Sequence, residues 1–305
     1  MTTYRILSLD GGGIRGVIEA TLLGRLELWC PGFLANVDLV AGTSTGGILA
    51  IGLAAGMTPA DLRDLYVGHG AEIFANKRVN VAEPRYDNKN LLRLLRGHIG
   101  DRTLASLRSR VLISSFDLDN QDRFAAIAPP GSRRTWKAKF FHNFPNDDSD
   151  GAELAVDVAL RTSAAPTYFP IVDGFVDGGV IANNPAMCAL AQALDPKRGA
   201  GRTLDEVRVL SLGTGQNQAF IETDDTNWGV AQWLPHLVSV MIDGAMDLAN
   251  YQCRQIMGDR YHRLNPLLDD DYGLDAVERI TALNLLATEC DIEPAVAWIQ
   301  ANWFK

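Results

Sequence analysis

Apolar residues in this chain come in short runs separated by longer stretches of helical spacing. Residues 4–9 form a mostly apolar run of strand length. Ile14, Val17, Ile18, Leu22, Leu23, Leu26 and Leu28 then mark a helix. Residues 37–41 predict a second strand and 46–55 a second, strongly apolar helix. Residues 111–116 predict a third strand, with a partner near 123–127, and 153–161 a short helix. Phe175 and Val176 run into Asp177, a helix is expected over 185–194, and residues 207–212 form another buried strand. Strands that alternate with helices predict the α/β class: three layers, α/β/α, around a mainly parallel central sheet.

The C-terminal third has a different rhythm. A long apolar stripe covers residues 230–257, and two more helices are expected over 275–287 and 293–303. Residues 261–264 have the character of an edge strand. With no linker in view, the expectation is one domain over 1–305, its motif-bearing core at 4–215 and a helical portion at 216–305. The polar segment 59–100 reads either as a cap over a site or as a surface insertion.

At 305 residues the chain is long enough for one large core. A formal charge of −9 argues against nucleic acid as a partner and gives no general attraction to anionic membranes. One basic cluster, Arg133, Arg134, Lys137 and Lys139 around Trp136, reads as a solvated loop or as a contact for anionic lipid headgroups. Cys30, Cys188, Cys253 and Cys290 are scattered, unlike a zinc site or a disulfide framework. The start runs straight into a strand with no signal-peptide pattern, so the expectation is a cytoplasmic protein. Signal-independent export would look the same. The run 37–57 is broken by Asp38 and by Gly-Thr-Ser-Thr-Gly-Gly, so it reads as strand, turn and helix rather than a membrane span.

Three turns carry candidate chemistry. The first is Asp10-Gly11-Gly12-Gly13-Ile14-Arg15-Gly16, the second Gly42-Thr43-Ser44-Thr45-Gly46, the third Asp177-Gly178-Gly179. A serine between glycines, where a buried strand meets a buried helix, is held exposed as a nucleophile. Gly42 and Gly46 leave room for the tight turn, and the helix directs its positive end at Ser44. Gly11, Gly12 and Gly13 can present backbone N–H groups as an oxyanion hole. Arg15 either braces that loop or meets an anionic substrate. Asp177 reads as a base or as an ordinary turn aspartate.

Two rivals are weaker. Gly11-x-Gly13-x-x-Gly16 after a strand matches the dinucleotide fingerprint, which requires an acid at the end of the second strand. That strand ends in Ala41-Gly42-Thr43 instead. A Ser-Asp-His triad would require a histidine after Asp177, and His236 and His262 are the candidates there. Neither sits at a glycine-rich turn.

The three turns together resemble the patatin-like phospholipase family. Residues 163–170, 182–185 and 210–215 are also similar to it. The resemblance covers about residues 4–215. It implies a lipid or ester substrate, transient contact with a membrane surface, and a histidine-free dyad. Ser44 would attack an ester carbonyl, Asp177 would take its proton, and Gly11, Gly12 and Gly13 would hold the oxyanion. It calls for no cofactor and no metal. Such a dyad requires an Asp177 carboxyl whose pKa is raised by partial burial. A lipid-binding protein without catalysis on the same fold is the alternative.

Overall fold

Four parallel pairings and two antiparallel ones build a seven-stranded sheet in the computed structural model. The structure describes residues 3–80, 82–120, 133–218, 220–222 and 227–304. The strands are β1 (Tyr4–Leu9), β2 (Leu39–Thr43), β3 (Arg110–Asp117), β4 (Lys137–His142), β5 (Phe175–Asp177), β6 (Val207–Leu212) and β7 (Tyr261–Leu264). Their order is β4-β3-β2-β1-β6-β7, with β5 also on β3. Only β4 and β5 run antiparallel, both against β3. The mainly parallel α/β sheet is as expected, and residues 261–264 do form its edge.

Strand side chains alternate between two apolar layers. Ile6, Leu39, Ala41, Leu112 and Val209 face one layer, while Leu7, Leu9, Val40, Ile113 and Leu210 face the other. The helices are α1 (Gly16–Trp29), α2 (Thr45–Ala55), α3 (Pro59–Val67), α4 (Gly70–Ile73), α5 (Lys89–Ile99), α6 (Ala155–Thr162), α7 (Gly179–Ala182), α8 (Ala186–Leu194), α9 (Val230–Met257), α10 (Ile280–Glu289) and α11 (Glu293–Asn302). Helix α8 and the second half of α9 cover the first layer. Helices α1, α2, α5, α6, α10 and α11 share the second, which extends from Leu7 to Trp303. Trp303 is fully buried there, its ring 5.7 Å from Phe33, and its indole N–H donates to the Phe33 carbonyl at 3.0 Å.

Two expectations change. The stripe predicted for the first helix holds to Leu26 and fails at Leu28, which is exposed. Two residues turn a helix by more than half a circle, so Leu28 points away from the core. The stripe over 230–257 is buried only in its second half, at Met246, Ala249, Cys253 and Met257. Val230, Trp233, Leu237, Val240 and Met241 are exposed, since that half of α9 lacks a covering layer among the described residues.

The expectation for the partner of β3 is not tested. The segment 123–127 lies outside the described residues; among them the antiparallel partners of β3 are β4, which carries Lys137 and Lys139, and β5. The basic cluster is therefore part strand. Lys139 pairs with Asp150 and Arg134 with Asp119, so two of its four cations already have carboxylates. Among the described residues, no helix is long and apolar enough to cross a membrane.

Candidate active site

Strand β3 brings two of the three turns together. Thr43, the last residue of β2, pairs with Ser114, and Asp177, the last of β5, pairs with Ser115. Because β4 lines the other side of β3, β5 takes the place along β3 that β2 vacates. Residues far apart in sequence thus end at neighbouring points of one ruler. Ser44 and Asp177 line one cavity, and the serine side chain is near enough to the carboxyl to lower its pKa.

Ser44 sits between β2 and α2 with φ 54° and ψ −121°, a conformation that L residues rarely adopt. The turn is tight enough to demand glycine on both sides. A Cβ on Gly42 would lie 2.2 Å from the Gly46 carbonyl oxygen, and one on Gly46 would lie 2.3 Å from that of Leu9. Thr43 and Thr45 are buried beside the serine. Thr43 Oγ1 donates to the Ala182 carbonyl at 2.6 Å, and Thr45 Oγ1 bonds the Tyr66 hydroxyl. The Ser44 N–H donates to Thr162 Oγ1 at 2.9 Å, and Thr162 in turn donates to the Ser114 carbonyl at 2.6 Å.

Asp177 is buried, and burial raises its carboxyl pKa to about 6. The Ser44 hydroxyl and the Gly179 N–H, 2.7 Å from Oδ1, pull it partly back down. A carboxylate poised there is ionised at neutral pH yet basic enough to accept a proton. Gly178 packs where a Cβ would meet Ser114 Oγ at 2.2 Å, which seats the turn against β3.

The glycine loop follows β1. Gly13 has φ +59°, and its Cα faces the Leu274 carbonyl so closely that a side chain would not fit. Gly11 touches the serine, since a Cβ there would be 3.3 Å from Ser44 Cβ. Its N–H, however, donates to the Asn183 carbonyl at 3.0 Å. Its own carbonyl accepts from Asn183 Nδ2 at 3.1 Å and from Thr214 Oγ1 at 2.9 Å. Gly11 is a clamped position rather than a free donor, which corrects one-third of the expected oxyanion hole. The amides of Gly12 and Gly13 donate to no backbone carbonyl among the described residues.

The ends of the loop are anchored in the interior. Asp10 is fully buried and accepts from Arg263 Nη2 at 2.6 Å, while its N–H donates to Glu19 Oε1 at 2.7 Å. Burial raises the pKa of both carboxyls, Glu19 well above its usual range. Arg15 is buried and donates to Asn217 Oδ1 at 3.1 Å, leaving its Nε without a partner. Gly16 starts α1 against Thr45 and Tyr66.

Above Ser44 and Asp177 lies a cavity of about 170 Å³. Its walls are mainly apolar, with Ile48, Ile73, Phe74, Leu91, Tyr168 and Phe169 prominent. Ile73, Phe74 and Leu91 come from segment 59–100, which thus supplies one wall. No histidine lines it among the described residues. His262 instead stacks on Trp298, with ring centroids 5.7 Å apart.

The Patatin-like phospholipase family model matches residues 7–190, the span from β1 to α8 that carries all three turns. The chain belongs to the patatin-like phospholipase family.

Full-length similarity agrees. A cGAMP-activated phospholipase of Pseudomonas aeruginosa is 30% identical, over 92% of this chain and 84% of its own. Patatin-like protein 2 of Arabidopsis thaliana is 33% identical, over 80% of this chain and 69% of its own. Protein teg of Priestia megaterium is 28% identical, over 99% of this chain and all of its own. Hydrolysis of lipids is the activity this membership carries.

Three residues of this patatin-like site escape the sequence reading as site residues. They are Thr162, which holds the serine amide, and Asn183 and Thr214, which clamp Gly11. Asn183 and Thr214 lie within segments similar to the family, so the signal was present without a role. Thr162 had no signal beyond the end of a helix.

Proposed function

We propose that this chain is a serine acyl hydrolase that cleaves carboxylic esters of lipids with Ser44 as nucleophile and Asp177 as base. The observation that carries this reading is Ser44, on a strained turn, sharing an apolar cavity with the buried carboxylate of Asp177 and, among the described residues, no histidine. As Ser44 Oγ attacks the ester carbonyl carbon, its proton passes to Asp177. The tetrahedral oxyanion is met by the N–H groups of Gly12 and Gly13. Collapse breaks the ester C–O bond, and the leaving alkoxide takes the proton from Asp177. Water then gives a proton to Asp177 and attacks the acyl-serine, and Ser44 regains its proton as the fatty acid leaves.

The apolar walls suit an acyl chain, and the wall from segment 59–100 supports reading that segment as a cap. Val180 and Ile242 line the cavity, and the neighbouring Val240 and Met241 are exposed, which suits transient contact with a lipid surface.

The test is a panel of soluble esters of rising chain length and of phospholipids, with wild type, Ser44→Ala, Asp177→Asn and His262→Ala. A fluorophosphonate probe should label wild type at Ser44. Both dyad variants should lose hydrolysis while melting cooperatively, and His262→Ala should stay active. Activity retained in a folded dyad variant would overturn the mechanism. A folded wild type that neither labels nor hydrolyses would point to a binding protein.

A further inference from the structure

A second cavity, of about 290 Å³, lies between α9 and the edge strand β7 and shares no lining residue with the Ser44 cavity. All eight of its lining side chains are polar. Helix α9 contributes Asp247, Asn250 and Arg254, spaced three and four residues apart and so on one face. The sheet contributes Tyr261, His262 and Arg263 from β7, and Asn265 and Gln216 from just beyond the ends of β7 and β6. This is the carboxyl edge of a parallel pair of strands, where open α/β sheets hold ligands.

The chemistry of the lining is selective. Arg254 forms no ion pair among the described residues, although it faces the cavity. A cation in the last turn of α9 suits the helix dipole. The dipole does not account for the amide side chains gathered opposite. Asn265 Oδ1 accepts from the Gly215 N–H at 2.8 Å, and Asn250 Oδ1 accepts from the Tyr261 hydroxyl at 3.2 Å. With their oxygens so engaged, both amides have NH₂ donors to offer. Burial, reinforced by Arg254, lowers the pKa of His262, so that ring adds no fixed charge at neutral pH. Asp247 places one carboxylate on the rim, suited to a hydroxyl or amino group of an occupant.

We propose that this cavity binds a small phosphorylated molecule, with Arg254 as its principal charge partner and Asn250, Asn265 and Gln216 as hydrogen-bonding partners. A guanidinium fork matches phosphate oxygens two at a time, and neutral amides complete such a shell without adding charge. The volume holds more than a single ion, since a water occupies about 30 Å³ of the liquid. The site also touches the hydrolytic centre indirectly. Arg263 lines it and at the same time holds Asp10, the residue that begins the glycine loop. The binding claim does not rest on the hydrolase reading.

Calorimetric titration of the full chain with inorganic phosphate, pyrophosphate and AMP tests it. Wild type should bind pyrophosphate or AMP saturably, with stoichiometry near one. Arg254 is exposed, so Arg254→Ala should keep its melting temperature and lose at least about tenfold in affinity, the equivalent of 1.4 kcal/mol. Ser44→Ala should bind as wild type does. Binding of inorganic phosphate alone would reduce the site to a free-anion site and overturn the phosphorylated-molecule assignment. Absence of saturable binding, affinity unchanged in Arg254→Ala, or affinity lost in Ser44→Ala would each overturn the proposal.

Discussion

The backbone N–H of Ser44 donates to Oγ1 of Thr162 at 2.9 Å. The Ser44 amide is therefore spent on holding the turn, which in the proposed mechanism leaves the oxyanion to the glycine loop. Thr162→Val should leave that buried N–H unpaired at a strained residue. We expect a loss of about 1–3 kcal/mol in stability, the usual cost of an orphaned buried donor. The ester kcat should fall, and Thr162→Ser, which keeps the oxygen, should restore most of it. Equal effects of Val and Ser would count against the hydrogen bond as the cause.

Burial lifts the Asp177 carboxyl to about 6. A base must be ionised, so kcat/KM should fall as pH drops below about 6. Stability should move the other way. A group with a raised folded pKa binds its proton more tightly folded than unfolded, so the fold gains stability as pH falls from about 6 toward 4. At neutral pH the buried charge costs up to about 3 kcal/mol. Asp177→Asn should thus melt higher than wild type at pH 7.5, with the gap narrowing toward pH 4.5. A gap that does not change with pH would contradict the raised pKa.

Gly42 and Gly97 provide a matched contrast. Alanine at Gly42 would put its Cβ 2.2 Å from a carbonyl oxygen, whereas a Cβ on Gly97, within α5, meets nothing within 4 Å. Gly42→Ala should destabilise by at least about 3 kcal/mol, within the range of severe core strain, and abolish hydrolysis. Gly97→Ala should stabilise by about 0.5–1 kcal/mol through helix propensity. Urea denaturation of the two variants measures both.

Arg263 pairs with Asp10 from 253 residues away; Asp10 is fully buried and Arg263 partly so. Arg263→Met would leave Asp10 without the cation that bonds it, and breaking such a pair costs about 3–5 kcal/mol. The solvent-exposed Arg134–Asp119 pair should contribute little, so Arg134→Ala should leave stability nearly unchanged. Loss of the first without loss of the second, by chemical denaturation, is the expected outcome.

The turn at Ser44 was legible because its signal is local. Glycines two residues before and after a serine, between a buried strand and a buried helix, admit few conformations. Asp177 was weaker alone, since aspartate before glycine is common in turns; its place followed from its resemblance to a family motif. Gly11 was read as a free donor because nothing near it in sequence reveals Asn183, 172 residues on, as the partner of its loop. Thr162, 118 residues from Ser44, was invisible for the same reason. The stripe on α9 is helical as its spacing predicts, but half of it is exposed, because periodicity reports a face without naming its neighbour.

Local steric and solvation chemistry thus accounts for the element types, the parallel α/β class and the strained serine turn. These depend on φ and ψ limits, on glycine, and on alternation within a few residues. Which amides of the glycine loop stay unbonded, where Asp177 lies along β3, and how far its carboxyl pKa rises were decided by folding. Hydrogen-bond partners are chosen across the chain, and desolvation of Asp177 is the summed effect of every layer packed around it.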